Sequence, residues 1–320
     1  MDERRAAETL TSGSFKVRYG PAGVHFFARS NGLNVLLDEV SPPESTWSLA
    51  PRSVSIALTN KCDLECPYCY APKHSAMLDS ARIRNWCAEL DENGCFGIGF
   101  GGGEPTLFPR LTTLCAEIAR DTSLAISLTT HGHRFTPEYG RALAGHVHFI
   151  RVSVDGVDTT YERLRGRSFA VLRERLAVVR ETAPFGINCV VNGDTVDELD
   201  RVAELADEMG AREVLLLPEH VDGNVALDTE VQAKMSAWVD RHYLTRRIAV
   251  SNVGADIVES PRLPIGERPE RDYGHVDADG IAKRCSFDRH GVQIDTGIIQ
   301  AFEALGAMKN PVSTLSRRTT

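Results

Sequence analysis

The sequence predicts an α/β fold: a partial (β/α)6 barrel of parallel strands, preceded by a short amino-terminal β-meander and followed by an irregular carboxyl-terminal extension. Two observations carry this expectation. Six short apolar runs alternate with amphipathic helical stretches, and six strand-helix units in succession imply a parallel sheet whose right-handed crossovers curl it inside a layer of helices. The 320 residues, 42% of them hydrophobic, are also enough to build one large core or two modest ones.

The elements follow in order. Residues 1–13 are small and polar and read as a frayed end. Runs at 15–20, 24–29 and 33–38, separated by Pro21-Ala22-Gly23 and Asn31-Gly32, read as three strands of a meander. A Ser- and Pro-rich linker over 41–52 closes this first unit, taken as residues 1–50. The barrel unit, 51–245, places strands at 53–58, 96–100, 124–129, 149–154, 186–191 and 213–217. Helices are expected near 79–93, 107–121, 137–144, 168–182, 194–209 and 229–243. In the extension, 246–320, the regularity fades. Residues 248–253 suggest one more strand, 261–275 a Pro-rich loop, and 291–302 a hairpin turning at Asp295-Thr296-Gly297, before a loose last dozen residues. There is no tandem repeat or low-complexity block.

Charge and composition narrow the function. Lys and Arg number 36 against 44 Asp and Glu, a formal charge of -8, which disfavours a nucleic-acid partner while leaving room for a local basic patch. The first residues lack a signal-peptide core, and no run of about 18 apolar residues suggests a membrane span, so a cytoplasmic protein without membrane attachment is expected. Eight cysteines in such a chain point to reduced thiols or metal ligands rather than disulfides.

Their spacing is the strongest signal. Cys62, Cys66 and Cys69 stand in C-x3-C-x2-C order directly after the first barrel strand, where a loop can wrap three thiolates around one centre. A closed zinc site needs a fourth ligand with no close candidate, whereas three thiolates on an iron-sulfur cubane leave one iron open. The alternatives are zinc completed by a distant residue such as Cys87 or His74, or unrelated thiols.

Other strand ends carry polar motifs. Gly97, Gly99 and Gly102 satisfy G-x-G-x-x-G, but the first two fall inside the strand and the helix starts only after Pro105, so a dinucleotide site is not indicated. Gly102-Gly103-Glu104 offers bare backbone and a carboxylate for a cationic group, or a tight turn with no ligand. Ser153 and Asp155 share a face by the strand period of two, and Arg163, Arg165 or Arg167 could return to it and clamp a carboxylate, or form a surface salt bridge. Asn188, Asn192 and the Leu217-Pro218 corner close the later strands as polar ends or turns.

The triplet, with Tyr68 just before its last cysteine, resembles the signature of the radical SAM superfamily, and the resemblance extends over about 52–220. It implies a single [4Fe-4S] cluster on Cys62, Cys66 and Cys69, its open iron chelated by S-adenosylmethionine (SAM). One electron then cleaves the sulfonium to methionine and a 5'-deoxyadenosyl radical, which abstracts a substrate hydrogen in an oxygen-sensitive enzyme fed by a reductant such as flavodoxin or ferredoxin. The segment Gly102, Gly103, Glu104 resembles the motif that holds the methionine amino group. Ser153, Asp155 and Arg165 resemble the elements that contact the cofactor's carboxylate and ribose, and Asn188, Asn192 and the Leu217-Pro218 corner its adenine wall. His131, in Thr129-Thr130-His131-Gly132, stands where Asn is common, which leaves its role open; a lone histidine is more often structural than catalytic.

Peptide-modifying relatives often extend into a domain binding auxiliary clusters, yet beyond the sixth strand only Cys285 remains, so a second cluster is not expected. Cys87, Cys95, Cys115 and Cys189 read as small buried hydrophobes. Cys285 is either an inert thiol or a hydrogen-atom donor to a substrate radical, which would give epimerisation or another net reduction. The substrate is expected to be a peptide, held by the meander or the irregular tail through strand addition. Alternatives are a small metabolite (sugar, nucleoside or amino acid) enclosed by the 254–285 loop, and a non-catalytic metal-binding or electron-transfer protein.

Overall fold

The computed structural model describes residues 15–251, 254–258 and 269–308. The expected frayed residues 1–13, the final dozen and most of the Pro-rich loop lie outside the described residues.

The meander forms as expected: β1 (Lys16–Gly20), β2 (Gly23–Ala28) and β3 (Leu33–Leu37) pair antiparallel in that order. Gly23, at φ +127°, closes the β1–β2 turn where a Cβ would overlap the Leu37 carbonyl. The meander sits under the amino ends of the barrel strands. Arg18, 1% exposed, donates to the carbonyls of Ala50, Gly94 and Arg271, and Arg29 donates to those of Thr122 and Leu124. Phe27 stacks on Phe96 at 5.2 Å.

The barrel strands are β4 (Ser53–Thr59), β5 (Gly97–Gly102), β6 (Ala125–Thr130), β7 (Phe149–Ser153), β8 (Phe185–Val191) and β9 (Val214–Pro218), each parallel to the next. The expected helices appear as α1 (Ser80–Glu92), α2 (Leu111–Asp121), α3 (Pro137–Leu143), α5 (Phe169–Thr182), α6 (Leu199–Met209) and, past a small β10–β11 hairpin (His220–Val221, Asn224–Val225), α7 (Thr229–His242). Asp79, Thr136, Ser168 and Asp228 cap α1, α3, α5 and α7 with side-chain oxygens. Within the barrel an additional helix appears: α4, Asp158–Arg165, a short stretch whose buried Tyr161 and Leu164 anchor it and whose end Gly166 caps at φ 64°.

Strand alternation separates the two faces of the sheet. Val54, Ile56, Leu58, Ile98, Phe100, Ile126, Leu128, Ile150 and Val152 are buried toward the helices, each worth roughly 1.5–3 kcal/mol. Ser55, Gly97, Gly99, Ser127, Arg151 and Ser153 alternate with them on the concave side, a face of small and polar groups.

The extension joins the barrel more closely than its sequence suggests. Among the described residues the sheet has ten strands, in the order β12-β9-β8-β7-β6-β5-β4-β13-β14-β15. The further strand expected at 248–253 is β12 (Ile248–Val250), parallel to β9. Within the stretch read as a Pro-rich loop, Tyr273–Val276 instead forms β13, parallel to β4, because Ser55 Oγ bonds to both Tyr273 Oη (2.5 Å) and His275 Nδ1 (2.6 Å) across the pair. The hairpin expected at 291–302 is absent. Val292–Gln293 (β15) pairs back to β14 (Ile281–Lys283), and Ile298–Ala307 is a helix, α8. Its buried Ile298, Phe302 and Leu305 recur at helical spacing, and Glu89 accepts the amides of Ile298 and Ile299 at its start.

Among the described residues, no helix is long and apolar enough to cross a membrane.

Candidate functional site

The three cysteines occupy the loop leaving β4, at the carboxyl end of the sheet, and all three thiols are free and partly exposed. Burial pushes the Cys62 and Cys66 thiols up, and at Cys66 the Arg165 guanidinium pulls the other way. Leu64 N donates to Cys62 Sγ at 3.4 Å, and Cys69 N to the Cys66 carbonyl. Elements from three other strands clasp this loop.

The end of β5 holds its root. Gly103 N donates to the Thr59 carbonyl at 2.7 Å and Glu104 N to that of Lys61 at 2.9 Å. A Cβ on Gly102 (φ +114°) would overlap the Thr59 carbonyl, and one on Gly103 those of Lys61 and Asn60. Two bare glycines are therefore needed for two backbones to approach this closely. Gly101 faces open space.

Glu104, 1% exposed, is enclosed by donors. Its Oε1 accepts from Thr106 N (3.1 Å), Thr106 Oγ1 (2.7 Å) and Thr130 Oγ1 (2.7 Å), and its Oε2 from His131 N (2.9 Å). The His131 ring in turn reaches Asp63 Oδ1 at 2.9 Å, beside Cys62.

On the opposite side, Asp155 lies just past β7, fully buried. Val190 N (2.7 Å) and Tyr68 Oη (2.6 Å) donate to it, and Arg165, at the end of α4, pairs with it. Arg165 Nη1 also reaches Cys66 Sγ at 3.4 Å, and the guanidinium lies 5.8 Å from the Tyr68 ring centre. Burial is the largest influence on the arginine and opposes its charge, but Asp155, Tyr68, Cys66 and Tyr161 together outweigh it and the pKa is raised; burial and the Asp155 carboxylate raise the Tyr68 phenol. Among the described residues, Arg165 Nε is buried with no hydrogen-bond partner. The competing arginines go elsewhere: Arg163 pairs with exposed Asp194, and Arg167 with Asp63.

The remaining predicted residues line the concave side. Ser153, the last residue of β7, is in register with Asn188, midway along β8, with Arg151 Nη1 3.4 Å from Asn188 Oδ1, and Leu217 is on β9. Asn192 instead organises its own turn with Thr195. Cys285 follows β14, half-buried, and burial raises its pKa. Its neighbour Phe287 packs on Tyr70 of the cysteine loop (4.5 Å) and stacks on His220 of the β10–β11 hairpin (3.7 Å), so this segment bridges the mouth of the barrel. Sequence reasoning missed Asp63, Thr130 and Arg167 as partners of the loop. The signals were an acid directly after Cys62 and the histidine in Thr-Thr-His-Gly.

The donors fit a cluster better than a single ion. Among the described residues no three His, Cys, Asp or Glu groups converge on one metal position. Of the distant zinc ligands considered, Cys87 is in the core at 0% exposure and His74 is bonded to Asp279 at 2.8 Å. Thiolates that each hold a different iron of a cubane need not converge on one point.

Known proteins resemble this chain over the stretch that carries the site. Residues 56–206 match the model of the radical SAM superfamily. The PqqA peptide cyclase of Ruegeria pomeroyi is 33% identical over 182 residues, covering 53% of this chain and 47% of that protein. The AdoMet-dependent heme synthase of Methanosarcina barkeri is 31% identical over 171 residues, covering 51% and 49%. The chain thus spans about half the length of the curated relatives it matches. Among solved structures, Streptococcus suis SuiB bound to S-adenosylmethionine superposes with a TM-score of 0.72 at 12% identity, covering 94% of this chain and 88% of that one, a likeness of fold. Over residues 56–206, which span the cysteine loop and its clasping strands, the chain is thus similar to the radical SAM superfamily.

Proposed function

We propose that Cys62, Cys66 and Cys69 hold one [4Fe-4S] cluster at which SAM is reductively cleaved, and that the chain removes a hydrogen atom from a peptide substrate. The observation that carries this reading is the clasped loop of three free thiols beside a buried arginine with one unsatisfied N–H. Bound there, the cluster and SAM would supply the reducing electron and the adenosyl radical.

This chain's residues then bind, orient and exclude water. The Gly102-Gly103 backbone and the open space at Gly101 leave room for the methionine end of SAM beside the loop. Glu104 fixes that backbone, Arg165 offers Nε to a carboxylate, and Ser153, Asn188 and Leu217 form the wall for the adenosyl end. Asp155 acts through Arg165 and Tyr68. Cys285, on the segment bridging the mouth, would give its S–H hydrogen to a substrate radical, leaving a sulfur radical that one electron from an external reductant such as flavodoxin or ferredoxin and one proton from water return to the thiol.

Support for a peptide comes from the relative acting on a peptide and from a groove of about 880 Å³ between β1 and the 46–49 linker, lined by Phe15, Tyr19, Phe27, Arg29 and Trp47. That groove lies at the amino end of the barrel. A peptide seated there must span at least the seven residues of β4, about 23 Å at ~3.3 Å per residue, to reach the mouth. A small-metabolite substrate is the second reading, favoured by the heme synthase relative at nearly equal identity.

The test is anaerobic reconstitution followed by reductant and SAM. Iron and sulfide should bind, and 5'-deoxyadenosine should be released and be lost when any of the three cysteines becomes Ala. Stimulation by a peptide rather than by sugars, nucleosides or amino acids separates the two substrate readings.

A further inference from the structure

His131 is buried at 4% exposure, and its backbone N–H and both ring nitrogens are engaged. Its backbone N–H donates to Glu104 Oε2 at 2.9 Å, and its Nδ1 accepts the His133 amide at 3.1 Å. Because Nδ1 is an acceptor, the ring proton is on Nε2, which donates to Asp63 Oδ1 at 2.9 Å and lies 3.4 Å from Glu104 Oε2. Asp63 is the residue after Cys62, and Arg167 grips it from outside through its carbonyl (3.1 Å) and Oδ2 (3.4 Å).

We infer that His131 is a positioning residue for Cys62: through Asp63, with Arg167 as the outer jaw, it locks the first arm of the cysteine loop before any cluster is present. The second arm has its own contact, Arg165 on Cys66, from the end of α4. His131, just past β6, touches only the first arm, whereas the 163–167 stretch reaches both. An asparagine at 131 reproduces only the Nδ1 position of the ring and stops short of Asp63; glutamine reproduces Nε2. The histidine is thus the longer arm that this Asp63 requires.

The inference rests on the cluster reading only for its consequence, slower iron loss. Its test uses the metal-free full-length chain. Cys62, Cys66 and Cys69 are alkylated with iodoacetamide under reducing conditions, and the rate at each is read by peptide mass spectrometry. His131→Ala should raise the Cys62 rate by about tenfold or more, as loss of a hydrogen bond to a charged acceptor shifts the local opening equilibrium, while Cys66 and Cys69 keep their rates. His131→Gln should restore the wild-type value. Asp63→Ser changes a loop residue that is one-third exposed, so it spares the core, and should reproduce the Cys62 effect. A Cys62 rate unchanged in Asp63→Ser, or a parallel rise at all three cysteines, would overturn the clamp. Failure of the wild-type chain to bind iron would instead count against the cluster reading alone.

Discussion

Replacing Asp155 by Ala should be among the most damaging single changes at this site, and the structure sets the size of the effect. The carboxylate is fully buried and faces Arg165, whose side chain is 11% exposed. Removing it leaves a guanidinium out of water with only a thiol beside it, a situation that costs about 3–5 kcal/mol. Val190 N and Tyr68 Oη lose their acceptor as well. If the stranded charge dominates, Arg165→Met in the same chain should recover much of the loss, giving a coupling of at least about 2 kcal/mol in a double-mutant cycle. Urea unfolding of the metal-free wild type, both single variants and the double variant measures this directly. An Asp155→Ala variant within about 1 kcal/mol of wild type, or a double variant equal to the sum of the singles, would refute the reasoning.

Three further outcomes follow from the same geometry. Gly103→Ala pushes a Cβ into the Lys61 and Asn60 carbonyls and should destabilise by about 1–3 kcal/mol with loss of reconstituted iron, whereas Gly101→Ala, facing open space, should leave the melting temperature unchanged. Burial lowers the His275 pKa to about 4, so the unfolded chain binds the extra proton between that value and about 6.5, the free-histidine value. Stability should therefore rise with pH across that window, by at most about 1.4 kcal/mol per pH unit from this group, and His275→Asn should flatten the slope of urea midpoints measured between those limits. Cys285→Ala should still release 5'-deoxyadenosine but stop product formation; unchanged product by mass spectrometry would remove Cys285 from the chemistry.

The parallel sheet was legible because each strand is a short run whose apolar residues are buried on its helix face, as in SVSIAL and LAISLT. The extension was harder to read, since β13 has four residues and its place beside β4 depends on Ser55 bonding to Tyr273 and His275, more than 200 positions away. The stretch Ile298–Ala307 was misread because Asp295-Thr296-Gly297 does make a turn, and only the later spacing of Phe302 and Leu305 marks a helix. At the site, the cysteine spacing and the glycine-glutamate turn are local and were visible. Which of Arg163, Arg165 and Arg167 faces inward was not, because that depends on α4: from this one segment they reach Asp194, Asp155 and Asp63 respectively.

That divergence bears on how the cysteine loop is built. One stretch, 163–167, contributes to both arms: Arg165 holds Cys66 and Arg167 holds Asp63 beside Cys62. Its own position is fixed from below by Tyr161 and Leu164 in the core and by Glu162, which accepts the Phe169 amide at the start of α5. Yet β5 holds the root of the loop and β6 supplies His131, neither of which contacts α4 through these bonds. A shift of α4 relative to the sheet would therefore strain the arms against a fixed root rather than carry the whole loop with it. The packing of α4 on the barrel thus bears on the spacing of Cys62 and Cys66, so core substitutions at Tyr161 or Leu164 should change the retention of iron before they change the fold.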